Sequence, residues 1–102
     1  DQLASAKAYL TRALSAFDQA GDQAHAAEAA MALGSVELLN KAYEYAIAHY
    51  ERALQLRREL KDEAGIAEAL RSLGLVLQML EDHAAAGDCY QEARTLAQQQ
   101  AA

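Results

Sequence analysis

The pair Leu33-Gly34 returns as Leu73-Gly74, and the residues around each pair return at the same interval of 40. Ala6, Ala46 and Ala86 share one slot, and Ala13, Ala53 and Ala93 share another. Tyr50/Tyr90, Leu14/Leu54, Asp22/Asp62, Ala24/Ala64, Ala27/Ala67, Glu28/Glu68, Ala29/Ala69 and Val36/Val76 extend the match. Most of these residues are small or apolar, the types found where helices touch. A fixed period of roughly 20 to 50 residues marks a solenoid or propeller, in which a unit buries its apolar face only against its neighbours. Function in such a chain resides in a surface and not in a pocket.

The chain contains no proline, and Ala, Leu, Glu and Gln dominate it. These are strong helix formers with no interior breaker among them, so the expected class is all-α. With 102 residues, 53% of them apolar, the chain has the size and composition of one domain with its own core. A net charge of −6 opposes a phosphate backbone and disfavours nucleic acid as a partner. Cys89 is the only cysteine and cannot form an intramolecular disulfide, so a cytoplasmic setting is the default. No apolar run approaches the ~18 to 20 residues of a membrane span, and residues 1 to 20 lack the basic start and apolar centre of a signal peptide. Asp1 falls in the middle of a repeat, so the chain reads as a piece of a longer protein.

Leu3, Ala6, Leu10, Ala13, Leu14 and Phe17 recur in steps of three and four and predict a helix over 1–20. Gly21-Asp22 ends it, with glycine as the left-handed C-terminal cap and Asp22 as the N-cap of the next helix. That second helix, about 23–40, turns Ala26, Ala27, Ala30, Leu33, Val36 and Leu39 inward. After the break at Asn40-Lys41, a third helix over 42–60 uses Tyr43, Ala46, Ile47, Tyr50, Ala53, Leu54 and Leu56, and ends on the cations Arg57-Arg58. Lys61-Asp62-Glu63 repeats the turn. A fourth helix over 63–80 carries Ala67, Leu70, Leu73, Val76, Leu77 and Leu80, with Gly65 as a mild weakness near its start. Beyond Glu81-Asp82 a fifth helix, 83–99, uses Ala86, Tyr90, Ala93 and Leu96, and the tail Gln98–Ala102 is expected to fray. Such short connections make neighbouring helices antiparallel. Gly34 and Gly74 sit mid-helix, where glycine costs ~1 kcal/mol relative to alanine. The expected compensation is a close approach of the partner helix at Ala46 or Tyr50, and at Ala86 or Tyr90.

Leu-Gly, a small residue twelve positions after the glycine (Ala46, Ala86), an aromatic four later (Tyr50, Tyr90) and alanine three beyond that (Ala53, Ala93) resemble the tetratricopeptide repeat. The resemblance covers nearly the whole chain: repeats at 22–61 and 62–100, preceded by 1–20 as the second helix of a truncated repeat, with 101–102 as a tail. It implies a right-handed α-solenoid of antiparallel hairpins, five helices in all. Departures are present: the motif's early Trp is Ala30 and Leu70, its first-helix Tyr is Glu37 and Leu77, and its closing Pro is Arg58 and Gln98. The period of 40, against the usual ~34, adds roughly a turn to each helix. In this respect the chain is similar to the extended-period variety found in regulatory and scaffolding proteins.

Reactive chemistry finds little support. His25, His49 and His83 include one His-x-x-Glu, His25 to Glu28, but a di-metal bundle needs inward Glu-x-x-His pairs from several helices, so no metal or other cofactor is expected. Phosphate loops and hydrolase signatures do not occur, and an enzyme is not the reading. Cys89 shares a slot with Tyr9 and His49 and is expected to pack in the last hairpin rather than react. Most of the tyrosines are expected in the core or at its rim.

By the same resemblance, the first helix of each repeat lines a concave groove. Carried over, the lining positions are Glu28, Met31, Ser35, Leu38 and Leu39 in one repeat and Glu68, Arg71, Leu75, Gln78 and Met79 in the next. That groove would be apolar with acidic edges, suited to a protein or peptide carrying basic residues. The Lys and Asn that clamp a terminal carboxylate in similar modules are missing, which disfavours chaperone tails. The implied function is a non-catalytic interaction or scaffolding module. The alternatives are that Leu38, Leu75 and Met79 serve packing, and that apolar faces of the end helices, 1–20 and 83–99, drive self-association.

Overall fold

The computed structural model describes residues 1–101. Five α-helices follow one another: α1 (Gln2–Ala20), α2 (Gln23–Leu39), α3 (Tyr43–Glu59), α4 (Glu63–Met79) and α5 (His83–Ala101). The described residues contain no strand. Helices adjacent in sequence pack against one another in chain order, as a repeat solenoid requires. The shortest dimension, 16 Å, accommodates two layers of helices and no third. The expected helices are all present, with α5 continuing through the glutamines to Ala101; Ala102, the end of the expected frayed tail, lies outside the described residues.

Every turn is built alike. The left-handed residue is Gly21, Lys41, Lys61 and Glu81, one every 20 positions, with φ of 70°, 60°, 57° and 63°. In each turn the next amide bonds back across the helix end, from Asp22 to the Phe17 carbonyl, Ala42 to Glu37, Asp62 to Arg57 and Asp82 to Leu77, at 2.8–3.0 Å. This is the paired closure that satisfies the last carbonyls of a helix. Glycine was the expected left-handed residue only at position 21; the other three turns place a charged side chain there, at an energetic cost that glycine does not bear. On the far side, Asp1, Asp22, Asp62 and Asp82 cap the amides of Ala4, His25, Gly65 and Ala85 at 2.7, 3.1, 3.0 and 3.2 Å.

The core is thin and rich in alanine. Ala26, Ala30, Ala46, Ala53 and Ala69 are fully buried, and bulk comes from Leu33, Val76, Tyr50, Leu70, Leu73 and Leu56. Tyr50 lies directly beneath Gly34: a Cβ on that glycine would stand 2.5 Å from the ring's Cε1. Tyr90 sits in the same way under Gly74, where the distance would be 2.8 Å. The expected close approach at both glycines is therefore present, and it involves the tyrosine ring. Helix α2 is covered from both sides and buries residues around most of its circumference, whereas α1, with a neighbour on one side only, buries none completely. Two leucines expected inside are outside. Leu39 is the last residue of α2 and Leu80 caps α4, so each stands where the chain turns away and no neighbour covers it.

Ala42 is the one N-cap without a side-chain bond, although its φ and ψ of −90° and 70° nearly match the −88° and 83° of Asp22. Ala42→Asp should therefore stabilise the chain by about 1 kcal/mol through a new bond to the amide of Tyr45. That corresponds to a rise of about 4–8 °C in the thermal midpoint by circular dichroism. An unchanged midpoint would show that the α3 terminus gains nothing from the cap.

Candidate functional site

Residues 28, 35 and 39 of α2 fall within about 40° of one another at 100° per residue, as do 68, 75 and 79 of α4. They form one stripe along each helix. Glu28, Ser35 and Leu39 are exposed, and so are Glu68, Leu75 and Met79. Leu39 is 70% exposed, Met79 51% and Leu75 44%, so this face presents large apolar side chains that no part of the fold covers. Carboxylates occupy the N-terminal half of each stripe and apolar residues the C-terminal half.

Positions 31 and 38 lie about 60–80° to the side of that stripe. Met31 is buried in the cluster with Ala46, Tyr50, Leu73 and Val76, and Leu38 is half-buried against it. Their counterparts Arg71 and Gln78 are exposed. This shoulder therefore faces the following repeat: α4 covers it on α2, and nothing equivalent covers it on α4. Of the ten expected groove positions, Met31 is removed from the free surface and Leu38 partly so, because the side-on angle aims them into the junction.

Both tyrosines beneath the glycines reach this face with their hydroxyls. Tyr50 shares a hydrogen bond with the Ser35 hydroxyl at 3.0 Å, and the Tyr90 hydroxyl donates to Gln78 Oε1 at 3.2 Å. Two of the expected groove residues thus double as fixings for the core aromatics.

Two buried charges, Glu37 and Arg57, do not stand out in the helical periodicity of the sequence. Glu37, only 1% exposed, lies 3.3 Å from Lys7 Nζ on α1, and its Oε1 forms no aligned hydrogen bond among the described residues. Lys7 also rests over the Tyr45 ring, 5.7 Å from its centre. The signal was available: Glu37 fills an aromatic slot, and the residues 40 positions beyond Lys7 and Glu37 are Ile47 and Leu77. Arg57 is the second case. Its Nη1 donates to the Gly65 carbonyl at 3.0 Å and lies 3.5 Å from Glu68 Oε1, partly neutralising that groove carboxylate. Gly65 is accordingly more than a weak helix residue, since a Cβ there would collide with the Asp62 carboxylate and with Arg57 Cδ.

The remaining reactive types are tied into the fold. His25 lies 2.7 Å from Asp22 Oδ2 and stacks on Phe17 at 5.2 Å. That amide and imidazole hold the Asp22 carboxyl below its ordinary range, the His25 backbone bond being the larger cause. Burial lowers the His49 pKa; Glu37 opposes the shift and Lys7 adds to it. Cys89 packs half-buried against the helix junctions, and burial, followed by Glu92, Asp88 and Glu51, pushes its thiol pKa up, away from the reactive thiolate. At the ends of the array the two helices differ. Apolar positions of α1 stay half-buried, whereas α5 carries exposed His83, Gly87 and Arg94 in the slots where α3 has half-buried Tyr43, Ile47 and Leu54. Leu14 and Phe17 of α1 pack inward against Ala26, Ala27 and Leu56, so among the described residues Tyr9 is the one large apolar side chain that α1 exposes, and α5 exposes none.

A family model described as tetratricopeptide repeat matches residues 25–99. A comparison with curated proteins gives no match.

The Lys7–Glu37 pair makes a direct energetic test. Lys7→Ile alone strands a buried carboxylate and should cost about 1–3 kcal/mol, the lower part of the range being favoured because Lys7 is half-exposed. Lys7→Ile with Glu37→Leu, the combination already present at 47 and 77, should recover that loss or exceed native stability by about 1 kcal/mol. Urea midpoints decide it, and a double variant as unstable as the single one would contradict this account of the junction.

Proposed function

The chain belongs to the tetratricopeptide repeat family, whose members generally serve as protein-interaction and scaffold modules, and from this we propose that it binds a protein segment along the α2 and α4 stripes. The observation that carries the reading is the contrast on α2 and α4 themselves. Each buries a broad apolar face, yet Leu39, Leu75 and Met79 stand in solvent. Apolar side chains left together on the free face of a rigid scaffold are the usual mark of a contact surface. The segment would be a helix or extended peptide, or a neighbouring domain, with apolar side chains toward Leu39, Leu75 and Met79. A basic residue would lie toward Glu28, which makes no ion pair among the described residues.

In this reading the module is non-catalytic, needs no cofactor, and belongs to a regulatory or signalling protein of the cytoplasm, where the lone thiol of Cys89 stays reduced. None of its described helices is long and apolar enough to cross a membrane. A second reading, self-association, has one observation in its favour: Leu3, Leu10, Leu14 and Phe17 on α1 are only half-buried, and Tyr9 beside them is 67% exposed.

Leu39→Glu with Leu75→Glu tests the first reading without touching the core. Partners retained by the native chain in pull-downs should be lost, while helicity and thermal midpoint stay within about 3 °C of native, as for surface substitutions. Identical partner sets from both forms would refute binding at this face. For the second reading, Leu10→Glu should abolish any concentration-dependent association seen by sedimentation.

A further inference from the structure

The contacts that close the helical hairpin within each repeat are the same twice over. Gly34 and Gly74, Ala46 and Ala86, Tyr50 and Tyr90, and Ala53 and Ala93 are identical pairs, so they cannot distinguish one repeat from the other. Any discrimination must come from slots where the repeats differ.

Two sets of slots differ in a complementary way. Between second helices, Asp18 of α1 meets Arg52 of α3 at 3.2 Å, and Arg58 of α3 meets Glu92 of α5 at 2.9 Å. Positions 18 and 58 are one slot and 52 and 92 the other, each 40 apart, so the same bridge is built twice with its charges reversed. Deeper in the junction, Lys7 and Glu37 form an ion pair where the next junction has Ile47 and Leu77.

We propose that these slots make each inter-repeat face an addressed interaction surface. Its one fitting partner is the repeat that follows it in this chain, and it rejects a copy of the array shifted by one repeat, whether from the same molecule or a second one. A shifted pairing of α1 with α5 sets Asp18 against Glu92, and the matching pairing of one α3 with another sets Arg58 against Arg52. Lys7 then faces Leu77, and Glu37 enters an apolar junction opposite Ile47 with no cation. Each mismatch combines like-charge repulsion or an unpaired buried charge, so the shifted stack is disfavoured at both depths.

The charge pattern of the address can be erased without leaving any of these charges unpaired. Lys7→Ile, Glu37→Leu, Arg58→Asp and Glu92→Arg together give both junctions the same apolar pair and the same order of charges, with no change in net charge. After refolding from urea at high concentration, this variant should show at least about a threefold larger oligomer fraction by sedimentation than the native chain, with additional slow refolding phases. An oligomer fraction and kinetics equal to native would overturn the proposal. Arg58→Asp with Glu92→Arg alone leaves the buried core untouched, and so remains informative if the fourfold variant fails to fold. It should show a smaller rise, and no rise would count equally against the address. Reversing both surface bridges together, by Asp18→Arg, Arg52→Asp, Arg58→Asp and Glu92→Arg, keeps the junctions distinct. That form should match native, and a rise there would assign oligomerisation to altered surface charge and overturn the proposal.

Discussion

A tyrosine ring pressed against bare backbone holds this array together. At Gly34 and again at Gly74 the missing side chain lets the partner helix bring its aromatic into the space a Cβ would occupy. Glycine in mid-helix costs about 1 kcal/mol. Burying a tyrosine removes roughly 150–250 Å² from water, which at about 25 cal/mol per Å² is worth several kcal/mol, so the exchange favours the contact. Ala46 and Ala53 flank Tyr50 on α3 and are completely buried. They can be this small because the helices already lie close, and larger side chains would force them apart. The hydroxyls, bonded to Ser35 and Gln78, emerge toward the free face and avoid the penalty of burying an unpaired polar group.

The surface follows from that packing. With α1 and α3 gripping it from two sides, α2 can dispense with a polar half, and its composition is apolar almost all round. What remains exposed is a stripe, repeated on α4, and its large apolar side chains Leu39, Leu75 and Met79 are available for contact because no other part of the described chain covers them. The shoulder beside the stripe belongs instead to the junction. There Met31 is buried while its counterpart Arg71 is exposed, a difference set by whether a following repeat is packed on that side.

The period, the five helices, the turn positions and the role of the two mid-helix glycines were legible because each is local or is stated twice in the sequence. Three kinds of feature were not. Lys41, Lys61 and Glu81 adopt the left-handed conformation because the 20-residue spacing of the turns demands it, and nothing in those residue types announces it. Met31 and Leu38 hold groove positions of the motif, yet their angular offset turns them toward the next repeat. The Lys7–Glu37 pair and the Arg57 link to Gly65 join residues on different helices, so a reading of one helical face at a time passes over them. Comparing slots 40 apart exposes the first of these, because an ion pair in one junction stands where leucine and isoleucine stand in the other.

The most direct test is a double-mutant cycle on Gly34 and Tyr50, followed by urea denaturation. In an isolated helix Gly34→Ala would be stabilising by about 1 kcal/mol, and Gly87→Ala, where a Cβ meets only open space, should show that gain here. The account predicts that Gly34→Ala instead destabilises the native chain by about 1–3 kcal/mol, because the buried ring cannot move aside, and that the penalty largely disappears in the Tyr50→Leu background. A native chain made more stable by Gly34→Ala, or a penalty unchanged by Tyr50→Leu, would show that the ring-on-backbone contact is not what sets the spacing of these helices.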